Sequence, residues 1–364
     1  MDTVDAEAVG FSPSRLARIR SLLQGYVDRD QYAGVVTLVA RRGRVAHLEC
    51  VGLADREAGR PMRPDTIFRI YSMSKPITAV AALMLYEEGR FQLADPLSRY
   101  IPEFKEMKVA VPRQGAPASE GLPPGELPEY DLEPARREIT VRDLFTHTSG
   151  LTYPNPQGSA AERLLWKALD GDERPPRTLA QWIPDLCRVP LNCHPGTRFQ
   201  YGFSTDVLGR LVEVLSGQPF DAFLRERIFA PLGMVDTAFY VPPEKMDRFS
   251  AMYIPGEKGG LELADAPATG AYSRPLVFFS GGGGLVSTTG DYFRFSQMLL
   301  NMGELDGVRL LGRKTVELMT LNHLPPPPLP CSFGGDQYDA GYGHGLGVRV
   351  LLDVARSGLP DYRR

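Results

Sequence analysis

The sequence predicts a mixed α/β (α+β) protein: a sheet domain built from both termini and interrupted by a mainly helical insertion. Three observations lead there. Two apolar, β-branched runs surround a basic turn near the N-terminus, a glycine-rich turn precedes a short strand near residue 285, and helical signals fill much of the chain between them. Strands at both ends with helices between imply a sheet built from both termini. The expected division is a discontinuous sheet domain, 1–108 and 270–364, and a mainly helical domain, 109–269.

Taken in order, residues 12–28 read as a helix: Ser12 can cap it, Pro13 suits its first turn, and Leu16, Ile19, Leu23 and Tyr26 share one face. GVVTLVARRGRVAHLECVGLAD follows as a β-hairpin turning at Arg41-Arg42-Gly43-Arg44. A helix from about Ser72 to Glu88 is apolar on nearly every side through Ala79-Val80-Ala81-Ala82-Leu83-Met84-Leu85, which marks burial in a large core. From Val109 to Glu138 proline, glycine and charge dominate, predicting a surface excursion with little room for regular structure. Helical signals then run from Thr140 to about Gly233, with Ser204 a candidate N-cap and Gly217 a candidate stop for STDVLGRLVEVLSG. GGGGLVSTTGDYFRFSQMLLNMGELDG reads as a turn, a short strand and a helix, and GHGLGVRVLLDV as a last strand starting near Leu346. The Pro325–Pro328 run suits a stiff surface loop.

Bulk properties exclude several classes. With 43% hydrophobic and 23% charged residues the chain is ordinary for a globular protein, and its 364 residues allow one large or two to three average domains. A formal net charge of −3, with no basic cluster interleaved with aromatics, argues against nucleic acid and anionic membranes as partners. The acidic N-terminus lacks the pattern of a secretory signal, and no apolar run reaches the ~18–20 residues of a membrane span, so a cytoplasmic protein is expected. Cys50, Cys187, Cys193 and Cys331 show no paired framework and are expected reduced. Cys187-x5-Cys193-His194 lacks zinc spacing and a second ligand pair, so no metal is expected.

The chemistry concentrates at Ile70-Tyr71-Ser72-Met73-Ser74-Lys75-Pro76, which opens the apolar helix. Serine and lysine three apart lie on one helix face, one turn from each other. At a helix start the unpaired N–H groups and the positive dipole end sit beside the hydroxyl. A serine becomes a nucleophile when a base takes its proton, and a lysine in an apolar site can be that base. An isolated S-x-x-K can equally be a cap followed by a solvated lysine; here the apolar sequence around Lys75 favours chemistry. Ser74 reads as packing. The glycines 281–284 lack the Gly-Lys-Ser/Thr of a phosphate loop, and the absence of a G-x-S-x-G elbow removes the main support for an α/β-hydrolase.

Residues 64–104, PDTIFRIYSMSKPITAVAALMLYEEGRFQLADPLSRYIPEF, closely resemble the nucleophile segment of class C β-lactamases and penicillin-binding-protein-like carboxylesterases. Three further stretches resemble that family in the same order: TVRDLFTHTSGL (140–151), FQYGFSTDVLG (199–209) and GGGGLVS (281–287). The resemblance, from about Gly10 to the end, implies a β-lactamase/transpeptidase-like fold, an antiparallel sheet flanked by helices plus a mainly helical domain. It implies Ser72 as nucleophile with Lys75 and Tyr201 as general base, since Tyr201 matches the family's Y-x-N or Y-S-x tyrosine. A Tyr–Lys pair sharing a proton could take the Ser72 proton and later activate water. His147 falls in the H-T-S-G-L turn, where the family's histidine is structural; a Ser-His-Asp reading would instead need it as base. Tyr153, just after that turn, is a candidate for lining the acyl or alcohol pocket, with an exposed loop tyrosine as the equal alternative. Phe203 stands where β-lactamases carry an asparagine that holds the lactam amide, which tilts the expected substrate from β-lactams to short-chain carboxylic esters.

The family's third motif, K-T-G, H-T-G or W-x-G, does not appear, and His344-Gly345 belongs to the strand before it. That strand normally gives one of the two oxyanion donors, the other being the Ser72 N–H. Loss of a donor typically costs ~10²–10³ in turnover. A shortened chain and a divergent one completed by a partner both fit. The expectations are therefore a serine esterase taking a small-molecule ester and needing no cofactor, with β-lactam or D-Ala-D-Ala peptide processing, or a non-catalytic binding protein, as alternatives; the oligomeric state stays open.

Overall fold

The structure, a computed structural model, describes residues 2–115, 122–169, 176–257, 259–325 and 341–357. Contacts group the chain into two units: Met1–Tyr71, Arg225–Leu276 and Gly284–Val308 form one, and Ser72–Leu224, Val277–Gly283 and Arg309–Arg364 the other. Residues 225–269, assigned by composition to the helical insertion, group by contact with the N-terminal strands.

In the first unit, helix α1 (Pro13–Asp28) lies on a hairpin of strands β1 (Gly34–Arg41) and β2 (Arg44–Asp55). Leu16, Ile19, Leu23 and Tyr26 are its half-buried face, as their spacing predicts, and no residue of α1 is fully buried. Ser12 occupies the cap position with an extended backbone, but its hydroxyl pairs with that of Ser14 at 3.0 Å. The hairpin closes with Arg41 opposite Arg44, and both turn residues have positive φ (Arg42 55°, Gly43 71°), the geometry that matches strand twist. Arg60–Pro61 adds a short third strand to β2. Further along, Ile67–Arg69 pairs antiparallel with Val286–Thr288, and Ile67, Val241, Phe249 and Val286 form a buried cluster there. The glycine-rich turn, short strand and helix expected after Ser280 are present, the helix spanning Thr289–Leu300.

In the second unit, α2 (Ser74–Glu87) is buried from Ile77 to Leu85, which explains its apolar sequence on every side. It packs against the helix Ser204–Ser216. Three expectations are corrected. The 109–138 excursion contains a ladder, Lys108–Pro112 antiparallel to Tyr130–Pro134: Val109 and Ala110 are buried, while the partner strand is polar enough to read as loop. Ser204 does not cap its helix; Phe203 takes the cap position, and the Ser204 hydroxyl is 2.8 Å from that of Ser149. The last strand is a tight hairpin, Tyr342–His344 with Arg349–Leu351, and Leu346 sits buried in its turn. Gly217 ends its helix with φ 72°, as expected of a stop glycine. Cys331 and Pro326–Pro328 lie outside the described residues.

Candidate active site

A single 3₁₀ turn, Tyr71–Met73, feeds α2, so Ser72 is exposed at the helix start while Lys75, one turn on, is buried. The Lys75 ammonium donates to Ser72 Oγ at 3.2 Å and to the Gly282 carbonyl at 2.6 Å, and lies 3.4 Å from the Tyr153 hydroxyl. The one-turn spacing of S-x-x-K thus becomes a direct contact, and the burial that its sequence context predicts is present.

Tyr201 is mounted on the segment before the Ser204–Ser216 helix. Gln200 N–H donates to the His147 carbonyl at 2.7 Å, and its side chain bridges Thr152 Oγ1 (2.8 Å) and Asn192 (2.7 Å). Gly202 allows the close approach: a Cβ there would fall 2.4 Å from the Leu151 carbonyl. The His147–Leu151 turn is itself anchored by Asp143, which accepts from Thr148 at 2.8 Å and pairs with Arg137 at 2.6 and 2.9 Å. Held this way, the Tyr201 hydroxyl donates to Ser72 Oγ at 2.8 Å, and its ring centroid lies 4.6 Å from Lys75 Nζ. Among the described residues, the hydrogen-bond partners of Ser72 Oγ are Tyr201 and Lys75.

His147 stacks on Tyr201 instead (centroids 4.9 Å apart, planes at 34°) and meets His344 edge-on at 5.5 Å. Burial holds His147 well below the usual imidazole value, with His344 and Lys75 adding to the effect. His344 is lowered to about 4, chiefly by burial. Two neutral imidazoles therefore back the phenol. Tyr153 packs edge-on against Tyr201 (5.6 Å) and Phe203 (4.7 Å), and Phe203 continues to Trp182 (4.9 Å) and Trp182 to Phe278 (5.2 Å). Burial first, then Asp206 and Tyr201, raise the Tyr153 phenol, so it stays protonated and can donate.

All five sequence candidates are thus near one another: Ser72, Lys75, Tyr201 and Tyr153 within hydrogen-bonding reach of a neighbour, and Phe203 through the Tyr153 ring. What spacing alone did not reveal is the support behind Lys75. The glycine run, read as a turn before a strand, carries the carbonyl that holds the lysine, and Asp206 holds that run from the Ser204–Ser216 helix. An aspartate inside the apolar pattern STDVLGRLVEVL was the available signal, because a carboxylate on a buried face needs a partner.

Among the described residues no group of three or more His, Cys, Asp or Glu is placed to hold a metal. Cys187 and Cys193 are free thiols pushed up to about 12 and about 11, mainly by burial, and His194 approaches Glu133 at 3.5 Å. No described helix is long and apolar enough to cross a membrane.

Comparison with known proteins assigns the chain to a family. The family model described as Beta-lactamase matches residues 19–353. The uncharacterized protein MT1414 of Mycobacterium tuberculosis is 37% identical over 332 residues, 91% of this chain and 78% of the relative. Esterase EstB of Burkholderia gladioli is 30% identical over 376 residues, 99% of this chain and 86% of its own. Among solved structures, EstCE1, described as a hydrolase with promiscuous acyltransferase activity, superposes with a TM-score of 0.72 at 27% identity over 95% of this chain and 86% of that one. With most of its length matched by the family model and by such relatives, the chain belongs to the β-lactamase family.

Proposed function

We propose that the protein is a serine esterase that cleaves short-chain carboxylic esters through an acyl-enzyme at Ser72. The observation that carries the reading is the pair of groups on one oxygen, Tyr201 at 2.8 Å and Lys75 at 3.2 Å from Ser72 Oγ. The reactive form of the Tyr201–Lys75 pair shares a single proton, one fewer than phenol plus ammonium. In the first half-reaction Ser72 Oγ bonds to the acyl carbon as its proton passes to that pair, and the pair returns the proton to the departing alcohol oxygen. In the second, water gives a proton to the pair as its oxygen bonds to the acyl carbon, and the pair passes that proton to Ser72 Oγ as the acyl–Oγ bond breaks, releasing acid and restoring Ser72. The start of α2 favours negative charge on the acyl oxygen beside the Ser72 N–H.

Esters fit better than lactams because of Phe203. With Tyr153 and Trp182 it makes an aromatic wall that can take an acyl chain, and it offers no amide to hold a lactam carbonyl. The similarity to EstB and EstCE1 supports the same substrate class, and the acyltransferase activity in the description of EstCE1 supports a second outcome, in which an alcohol replaces water as acyl acceptor.

The test is covalent. A p-nitrophenyl phosphonate should add its phosphonyl mass to the peptide containing Ser72, release p-nitrophenol in equal amount and abolish ester hydrolysis. Hydrolysis that persists with Ser72 unlabelled would overturn the proposal.

A further inference from the structure

Glycines 281 and 282 and the lone aspartate of the Ser204–Ser216 helix converge behind Lys75. Asp206 is 1% exposed. Its Oδ1 accepts from Ser280 Oγ at 2.5 Å and from the Gly282 N–H at 3.1 Å. The same Gly282 residue presents its carbonyl to the Lys75 ammonium at 2.6 Å. The neighbouring Gly281 carbonyl is fixed in turn by Thr78 Oγ1 of α2, at 2.8 Å. A side chain at either glycine would break the arrangement. A Cβ at Gly282 would lie 2.6 Å from Asp206 Oδ2, and one at Gly281 2.6 Å from the Thr205 carbonyl.

We propose that Asp206 is the positioning residue of the catalytic base: through Ser280 and Gly282 it fixes the carbonyl that holds Lys75, and its carboxylate supplies the negative charge that balances the ammonium. The inference rests on the reading of Lys75 as part of that base. A purely structural staple between the helix and the glycine turn would need only an acceptor, which asparagine supplies without the large cost of burying a carboxylate. The cation nearby is what makes a charge worthwhile here, and Lys75 is among the groups that act electrostatically on Asp206. Burial raises the Asp206 carboxyl, and the hydrogen bonds from Ser280 and Gly282, together with Lys75, oppose that rise. The groups that face the pair are known: Ser72, Tyr201 and Tyr153 surround the ammonium with the neutral imidazole of His147, and Tyr153 also interacts with Asp206.

The test compares Asp206→Asn, Ser280→Ala, Ser72→Ala and Lys75→Ala with the wild type in p-nitrophenyl butyrate hydrolysis from pH 5 to 10. Asp206→Asn keeps shape and removes charge, so kcat/KM should fall about tenfold or more with KM nearly unchanged. Loss of a negative charge disfavours the proton on the base. The acidic limb of the kcat/KM profile should therefore move to lower pH, by about one unit. Ser280→Ala, which removes one hydrogen bond, should move it the same way by less, and it carries the test if Asp206→Asn does not fold. A wild-type profile in both variants would overturn the inference, and so would reduced activity with an unmoved limb, which is the signature of a structural role. If Ser72→Ala and Lys75→Ala keep full activity, the underlying reading of the base fails instead.

Discussion

Ser72 receives a phenol and an ammonium on one oxygen, and the two contribute differently. Tyr201 is the shorter contact and is rigidly mounted, with Gln200, Gly202 and the His147–Leu151 turn fixing its approach. Tyr201→Phe should lower kcat for p-nitrophenyl butyrate by about 10²–10⁴-fold, the range of a lost general base, with little change in KM; a kcat within twofold of wild type would remove Tyr201 from the mechanism. At this scale much was legible before the fold. Ser72 and Lys75 follow from S-x-x-K at the head of an apolar helix, because helical spacing is a local property. Tyr201 came from resemblance to a family, and Tyr153 from its place just after the H-T-S-G-L turn, since no local rule separates a reactive tyrosine from a packed one. Asp206 and Gly282 were missed because their meaning lies in each other and in Lys75, which only the tertiary fold brings together.

Elements were legible where one signal dominated. The apolar content of α2 and the turn chemistry at Arg42-Gly43 determine their structures locally. The ladder at Lys108–Pro112 and Tyr130–Pro134 was missed because its long, charged connection masks two five-residue strands that find each other only by pairing. Ser204 was misread because its hydroxyl has a better partner in Ser149 than in its own helix. The energetics follow the same logic. Leu83 is fully buried in α2, so Leu83→Ala should destabilise by about 2–5 kcal/mol in urea unfolding, through lost transfer energy and a cavity. In the first unit the Arg69 guanidinium is buried against the Phe249 ring (4.1 Å) and paired with Asp265 at 2.7 Å. Asp265→Ala strands that charge and should cost about 3–5 kcal/mol, well above a surface ion pair; a loss below about 1 kcal/mol would show the pair to be dispensable.

For the whole molecule, titration links the site to stability. His344 is held at about 4 in the fold against 6.5 as the ordinary value, and His147 is depressed as well. Between those pH values the unfolded chain binds protons that the folded chain refuses, so these histidines weaken the fold as pH drops from about 6.5 towards about 4. Asp206 and Asp291, raised by burial, act in the opposite sense, so the informative quantity is a difference. Whatever His344→Phe costs at pH 7.5, that cost should shrink by about 2–3 kcal/mol at pH 4.5, read from urea midpoints. A pH-independent difference would contradict the assignment. The family relationship covers the molecule from residue 19 to 353 and fixes the fold class, but the proposed chemistry rests on one oxygen.

The most direct measurement is therefore p-nitrophenyl butyrate hydrolysis by the wild type and by Ser72→Ala, both confirmed folded by circular dichroism. The account predicts turnover by the wild type and a loss in the variant to the rate of the uncatalysed reaction. Equal turnover by the two proteins, or none by the folded wild type, would contradict it.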